Sequence, residues 1–191
     1  MKYFALAALG TLITASAFAA PETLKIDPAH THPSFETDHM GGLSVWRGKF
    51  VKTSGTIVLD RAAGTGTVDI TIDTSSIDTG LPDLDEHVRS ADMLDVAKYP
   101  TATYKGKLVK FNGNAPTEVE GTFTLRGISR PLNLRIRQFL CKPHPFTKKE
   151  VCGADATASF NRFDYGVTYG KNFGFKDFVN LQIQVEANST T

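Results

Sequence analysis

The chain has 191 residues, and its 21 Lys and Arg stand against 20 Asp and Glu, giving a formal charge of +1. That balance excludes the basic excess of a typical nucleic-acid binder. The length excludes a large barrel enzyme and suits one domain. A composition of 41% hydrophobic and 21% charged residues excludes a disordered chain.

The N-terminus reads as a secretory signal peptide over residues 1–19. Lys2 is a positive start, Phe4 to Ile13 is almost wholly apolar, and Ala17-Phe18-Ala19 places small residues before a cut. The run falls short of the ~20 residues that cross a bilayer, so no transmembrane segment is expected. Cleavage near Ala19-Ala20 would leave residues 20–191 as one domain with equal acidic and basic groups. The short basic start and the Ala-rich site look bacterial and point to the periplasm.

Hydrophobic alternation then predicts strands near 23–27, 32–39, 47–60, 66–74, 101–111, 118–127, 131–140, 152–163 and 178–187. Thr67 to Asp73 alternates strictly. Val119, Gly121, Phe123 and Leu125 share one face, as do Leu132, Leu134 and Ile136, and Val179, Leu181, Ile183 and Val185. Period two with polar partners means antiparallel strands with one face buried. Leu81 to Tyr99 breaks the rhythm. Pro82 followed by Asp83, Asp85 and Glu86 suits a first helical turn, with Leu84 and Val88 on one face. Ser90 is placed to cap a second short helix, and Pro100 ends the segment. One or two short helices are therefore expected.

Some eight antiparallel strands in one domain resolve their edges by closing into a barrel. Such a barrel is either filled by side chains or holds one small ligand, and composition does not separate the two. Cys141 and Cys152 flank a proline-containing loop, and an oxidising compartment favours their pairing as a structural disulfide.

Catalytic signatures are absent: there is no nucleophile elbow, no His-Glu-x-x-His and no phosphate loop. No enzyme activity and no catalytic cofactor are expected. In a strand His30 and His32 would share a face and could form part of a metal site, with His39 facing away. The preferred reading is structural hydrogen bonds or a contact to a ligand headgroup, with no metal. Trp46, Arg47, Gly48 and Phe50 form an aromatic-basic cluster. Asn161 to Gly166, followed by Tyr169, Phe173, Phe175 and Phe178, forms another, which fits a barrel mouth, a mobile lid or the rim of a packed core. Arg162 could meet a headgroup or pair with Asp164. Glu150 and the loop lysines Lys142, Lys148 and Lys149 read as solvated.

Several stretches in order resemble the YceI family of polyisoprenoid- or lipid-binding proteins. They are Ile26-Asp27-Pro28-Ala29-His30 leading to Phe35 and His39, then Gly48-Lys49-Phe50; Ile72 to Gly80; Asp85 to Asp95 with Lys98-Tyr99-Pro100; and Gly121 to Leu132. Asn161-Arg162-Phe163-Asp164-Tyr165-Gly166 resembles the family's late motif, with Asn161 where Asp is common. His32 and Leu84 also depart from the family pattern.

The resemblance implies an all-β, eight-stranded antiparallel barrel of lipocalin-like shape with a short helix beside it. It implies a long isoprenoid or related amphiphile in the lumen, such as an isoprenoid quinone or polyprenyl lipid, for transport or storage. It also implies frequent homodimers. Transient membrane contact would accompany loading. Within that frame, Phe35, Phe123, Leu125, Leu134 and Ile183 are the expected wall, and His39, Trp46, His87 and Arg162 the expected mouth. The alternatives are a filled-core, stress-linked interaction protein and a lipid-modifying enzyme on the same barrel.

Overall fold

The structure is a computed structural model that describes residues 20–190; the predicted signal peptide lies outside the described residues. Twelve extended segments join one antiparallel sheet: β1 (Glu22–Ile26), β2 (His32–His39), β3 (Ser44–Phe50), β4 (Thr53–Asp60), β5 (Thr65–Asp73), β6 (Ile77–Asp78), β7 (Thr101–Asn112), β8 (Ala115–Leu125), β9 (Ile128–Pro131), β10 (Leu134–Pro143), β11 (Glu150–Asn161) and β12 (Phe178–Ser189).

These segments make an eight-stranded barrel. Both β1 and β2 pair with β12, so they are halves of one strand interrupted at residues 27–31. Their neighbours β4 and β3 are likewise halves of one strand, interrupted at Val51 and Lys52. From this pair the sheet runs β5, β7, β8, β10, β11, β12, and β12 returns to β1 and β2. The predicted single strand over 47–60 is therefore two. Closure is thinnest between β8 and β10, which pair at Leu134–Val119 and Arg135–Glu118. The two-residue β6 pairs antiparallel with the end of β3, as β5 does with β4, and β9 folds back on β8.

Alternation sets the interior. In β8, Val119, Phe123 and Leu125 are buried while Glu120 and Thr122 are exposed. In β10 the pairing slips between Ile136 and Gln138. That extra residue turns Phe139 inward and leaves Leu140 outward. Tyr104 of β7 crosses the face of Gly121, where a Cβ would lie 2.4 Å from its hydroxyl oxygen. The hydroxyl donates to the Leu132 carbonyl at 2.9 Å.

The two ends of the barrel differ. At one end the turns are tight: 61–64, 113–114 and 144–149, the last closed by the Cys141–Cys152 disulfide. At the other end lie the longer connections 74–100 and 162–177, with 40–43 and 126–133 beside them.

One helix, α1 (Pro82–Arg89), stands in the first of these long connections, with Pro82 in its first turn and Asp83 and Asp85 beside its free N–H groups. Of the one or two short helices expected, one forms. Ser90 ends α1 rather than starting a new one, and residues 91–99 are hydrogen-bonded turns that pivot on Asp95 at φ 51°. A left-handed residue breaks the helical path.

Candidate ligand-binding lumen

The barrel encloses a cavity of about 720 Å³. Leu24, Leu59, Cys152 and Ala187 close it at the tight-turn end, each at most 4% exposed. Met40, Tyr169 and Phe173 line the other end and are 56%, 40% and 75% exposed, so the cavity opens there.

All nine residues expected from the sequence line this cavity. The wall residues come from separate strands. Phe35 lies over Gly48, where a Cβ would meet its ring at 2.6 Å, so glycine is needed for the ring to sit flat. Phe123 packs against Phe160 and Tyr165, each at 5.5 Å between ring centres. Leu125 and Leu134 are buried, and Ile183 of β12 also lines the lumen. At the mouth, the His39 ring stacks obliquely on Trp46 at 5.2 Å and lies 6.2 Å from Phe175. His87 projects from α1 onto Tyr169, 4.4 Å away. Leu84 and Val88, whose spacing predicted a shared helix face, both line the cavity from α1.

Arg162 is 7% exposed. It does not pair with Asp164. Its Nη1 donates to the Val167 carbonyl at 2.7 Å and its Nε to the Lys176 carbonyl at 3.3 Å. Burial lowers its pKa, partly countered by the charges of Asp177 and Asp38. A guanidinium loses its proton so reluctantly that it stays a cation, and backbone carbonyls hold it against the lumen.

Polar groups are sparse deeper in. The Thr31 hydroxyl donates to the Glu186 carbonyl and accepts its N–H. Thr53 is 3% exposed, lines the cavity, and its hydroxyl has no hydrogen-bond partner. Sequence reasoning missed Thr53, and it missed Asp38, whose carboxylate joins two mouth segments. Nothing in a threonine at a strand start distinguishes it before pairing is known.

His30 and His32 do not lie together on one strand. His30 sits in the turn between β1 and β2, with Nδ1 2.8 Å from Asp27 and 4.0 Å from Glu186. Hydrogen bonding to Asp27 raises the His30 pKa, and the same contact lowers that of Asp27. Asp27, His30 and Glu186 converge closely enough to hold a cation, but His30 does not line the lumen. His32 leaves Nδ1 buried without a partner. Glu150, expected to be solvated, is instead held by Arg61 at 2.6 Å, and Arg61 also reaches Glu22 at 3.1 Å. Burial and the neighbouring carboxyl raise the Glu22 pKa. For Glu150 burial pulls upward, and the hydrogen bonds from Glu22 and Arg61 leave it lowered.

Known proteins share this sequence pattern and this fold. The YceI-like domain profile matches residues 24–187. The chain belongs to the YceI family. It is 32% identical to protein YceI of Salmonella arizonae over 166 residues, covering 86% of this chain and 85% of that protein. Two solved structures share the fold. BcnA of Burkholderia cenocepacia superposes with a TM-score of 0.66 at 20% identity, over 85% of this chain and 99% of that one. A polyisoprenoid binding domain from Saccharophagus degradans, implicated in plant cell wall breakdown, superposes with a TM-score of 0.62 at 16% identity, over 87% and 98%.

Proposed function

We propose that this YceI-family barrel binds one long-chain isoprenoid or related amphipathic lipid in its lumen, without catalysis, and carries or stores it in the periplasm. The cavity of about 720 Å³ carries the proposal. Packed interiors keep few voids larger than a water molecule. A space this large falls in the ~300–1,000 Å³ range of ligand pockets. Its wall of Leu, Ile, Val and Phe would take an apolar tail, at about 0.8 kcal/mol per CH₂ withdrawn from water.

The polar groups gather where a headgroup would remain. Arg162, with His39 and His87 nearby on the mouth, offers donors to a carbonyl, hydroxyl or phosphate oxygen. The Cys141–Cys152 disulfide supports an oxidising compartment. The polyisoprenoid-binding relative from Saccharophagus supports the class of cargo.

The test titrates lipid-stripped protein with an isoprenoid quinone. Trp46 is the chain's single tryptophan and lines the mouth, so its fluorescence reports arrival directly. Saturable quenching near one quinone per chain is expected, together with an isoprenoid in organic extracts of natively isolated protein. Phe123→Asp, shown to be folded by circular dichroism, should lose both. A folded wild-type protein with neither signal overturns the proposal.

A further inference from the structure

We infer that the open end of the barrel docks on the surface of a lipid bilayer through the tips of two loops, 40–43 and 169–176, so that cargo enters directly from the membrane. The inference rests on the lumen being a lipid site and adds the surface that supplies it.

Leu43 is 73% and Phe173 75% exposed, the highest values among large apolar side chains at this end. Their loops touch. A Cβ on Gly41 would lie 3.1 Å from the Gly174 carbonyl oxygen, and one on Gly42 would lie 3.2 Å from Lys176 Nζ. Met40, Tyr169 and Phe173 belong to the exposed rim and to the cavity wall at once. These three side chains link the apolar lumen to the exposed rim. A tail could follow that path without being hydrated, which is the step that makes lipid extraction unfavourable.

The exposed cations Lys171 and Lys176 stand beside these tips. Apolar tips that enter the headgroup boundary, with lysines at the level of the phosphates, are the pattern of interfacial anchoring on anionic lipid. Phe146 is more exposed still, at 87%, but stands at the opposite end and does not line the cavity.

The test is flotation of the protein with vesicles of phosphatidylethanolamine and phosphatidylglycerol. Wild type should float with the vesicles. Leu43→Asp should reduce partitioning about tenfold. Lys171→Glu/Lys176→Glu should reduce it on these vesicles and not on phosphatidylcholine alone. None of the three residues lines the cavity, so both variants should still quench Trp46 when quinone is delivered from cyclodextrin. Wild type that stays off the vesicles, or a Leu43→Asp variant that floats equally well, overturns the docking. A wild-type dimer by light scattering that Leu43→Asp disperses, without flotation, also overturns it and makes the rim a contact between copies. Absence of quenching from cyclodextrin counts against the lipid cargo and leaves flotation to decide docking.

Discussion

Oδ2 of Asp38 accepts the backbone N–H of Lys176 at 2.9 Å, across 138 residues of chain. The same oxygen accepts the N–H of Gly41, also at 2.9 Å. One carboxylate thus ties together the two segments that flank the mouth. The bond from Lys176 is the main cause of the lowered Asp38 pKa, which burial opposes.

The pH dependence follows from that lowering. The folded group titrates below the ~3.9 of an unfolded aspartate. Its contribution is complete above that value and is lost as pH falls through the folded pKa. Acidification below about pH 4 should therefore loosen the mouth, and Asp38→Asn should loosen it at neutral pH. Hydrogen exchange at the Gly41 and Lys176 amides measures this, with rates expected to rise roughly tenfold in the variant. Unchanged protection would mean the carboxylate does not hold the loops.

The unpartnered Thr53 hydroxyl makes a different prediction. Thr53→Val keeps the shape of the side chain and removes a buried polar group without a hydrogen bond. Stability in urea should rise by about 1 kcal/mol. A fall would show that water or cargo satisfies the hydroxyl, and quinone titration of the variant separates those two.

Cys141 and Cys152 face each other directly across β10 and β11 and close a short loop at a sequence separation of 11. Replacing both with serine should cost about 2 to 3 kcal/mol in urea unfolding. Reduction of the wild-type protein should reproduce most of that loss.

Arg162 should reveal both a structural and a binding role. Arg162→Met removes donors from the buried carbonyl of Val167 and the part-buried carbonyl of Lys176 and should cost about 2 to 3 kcal/mol. Arg162→Lys keeps the charge but cannot reproduce the fork that spans both carbonyls. If the guanidinium also holds a headgroup, quinone affinity in Arg162→Lys should fall about tenfold at a temperature where the variant remains folded. Equal affinity would confine Arg162 to holding its loop.

Much of this architecture is legible in the sequence because barrel strands announce themselves locally. Val119, Phe123 and Leu125 alternate with Glu120 and Thr122, and Val179 to Val185 does the same. Period two defines two faces without saying which is interior. Closure around β12 decides that. The break at 27–31 is legible, since the expected strands 23–27 and 32–39 already leave it open, but the one at Val51–Lys52 is not, because alternation is only read along one strand while that break is forced by the neighbouring one. The bulge in β10 hides for the same reason. The sequence leaves open whether one helix or two forms: Ser90 has the chemistry of a helix start, yet its carbonyl receives Asp95 in a turn. The Asp38 tie was out of reach, since its partner lies 138 residues away.

The plugged floor under Leu24, Leu59 and Ala187 makes this barrel a pouch and not a pipe. Whatever goes in tail first must back out through the same rim. A carrier of this build cannot bridge two compartments by standing between them. It has to leave one host, turn, and present the same face to the next.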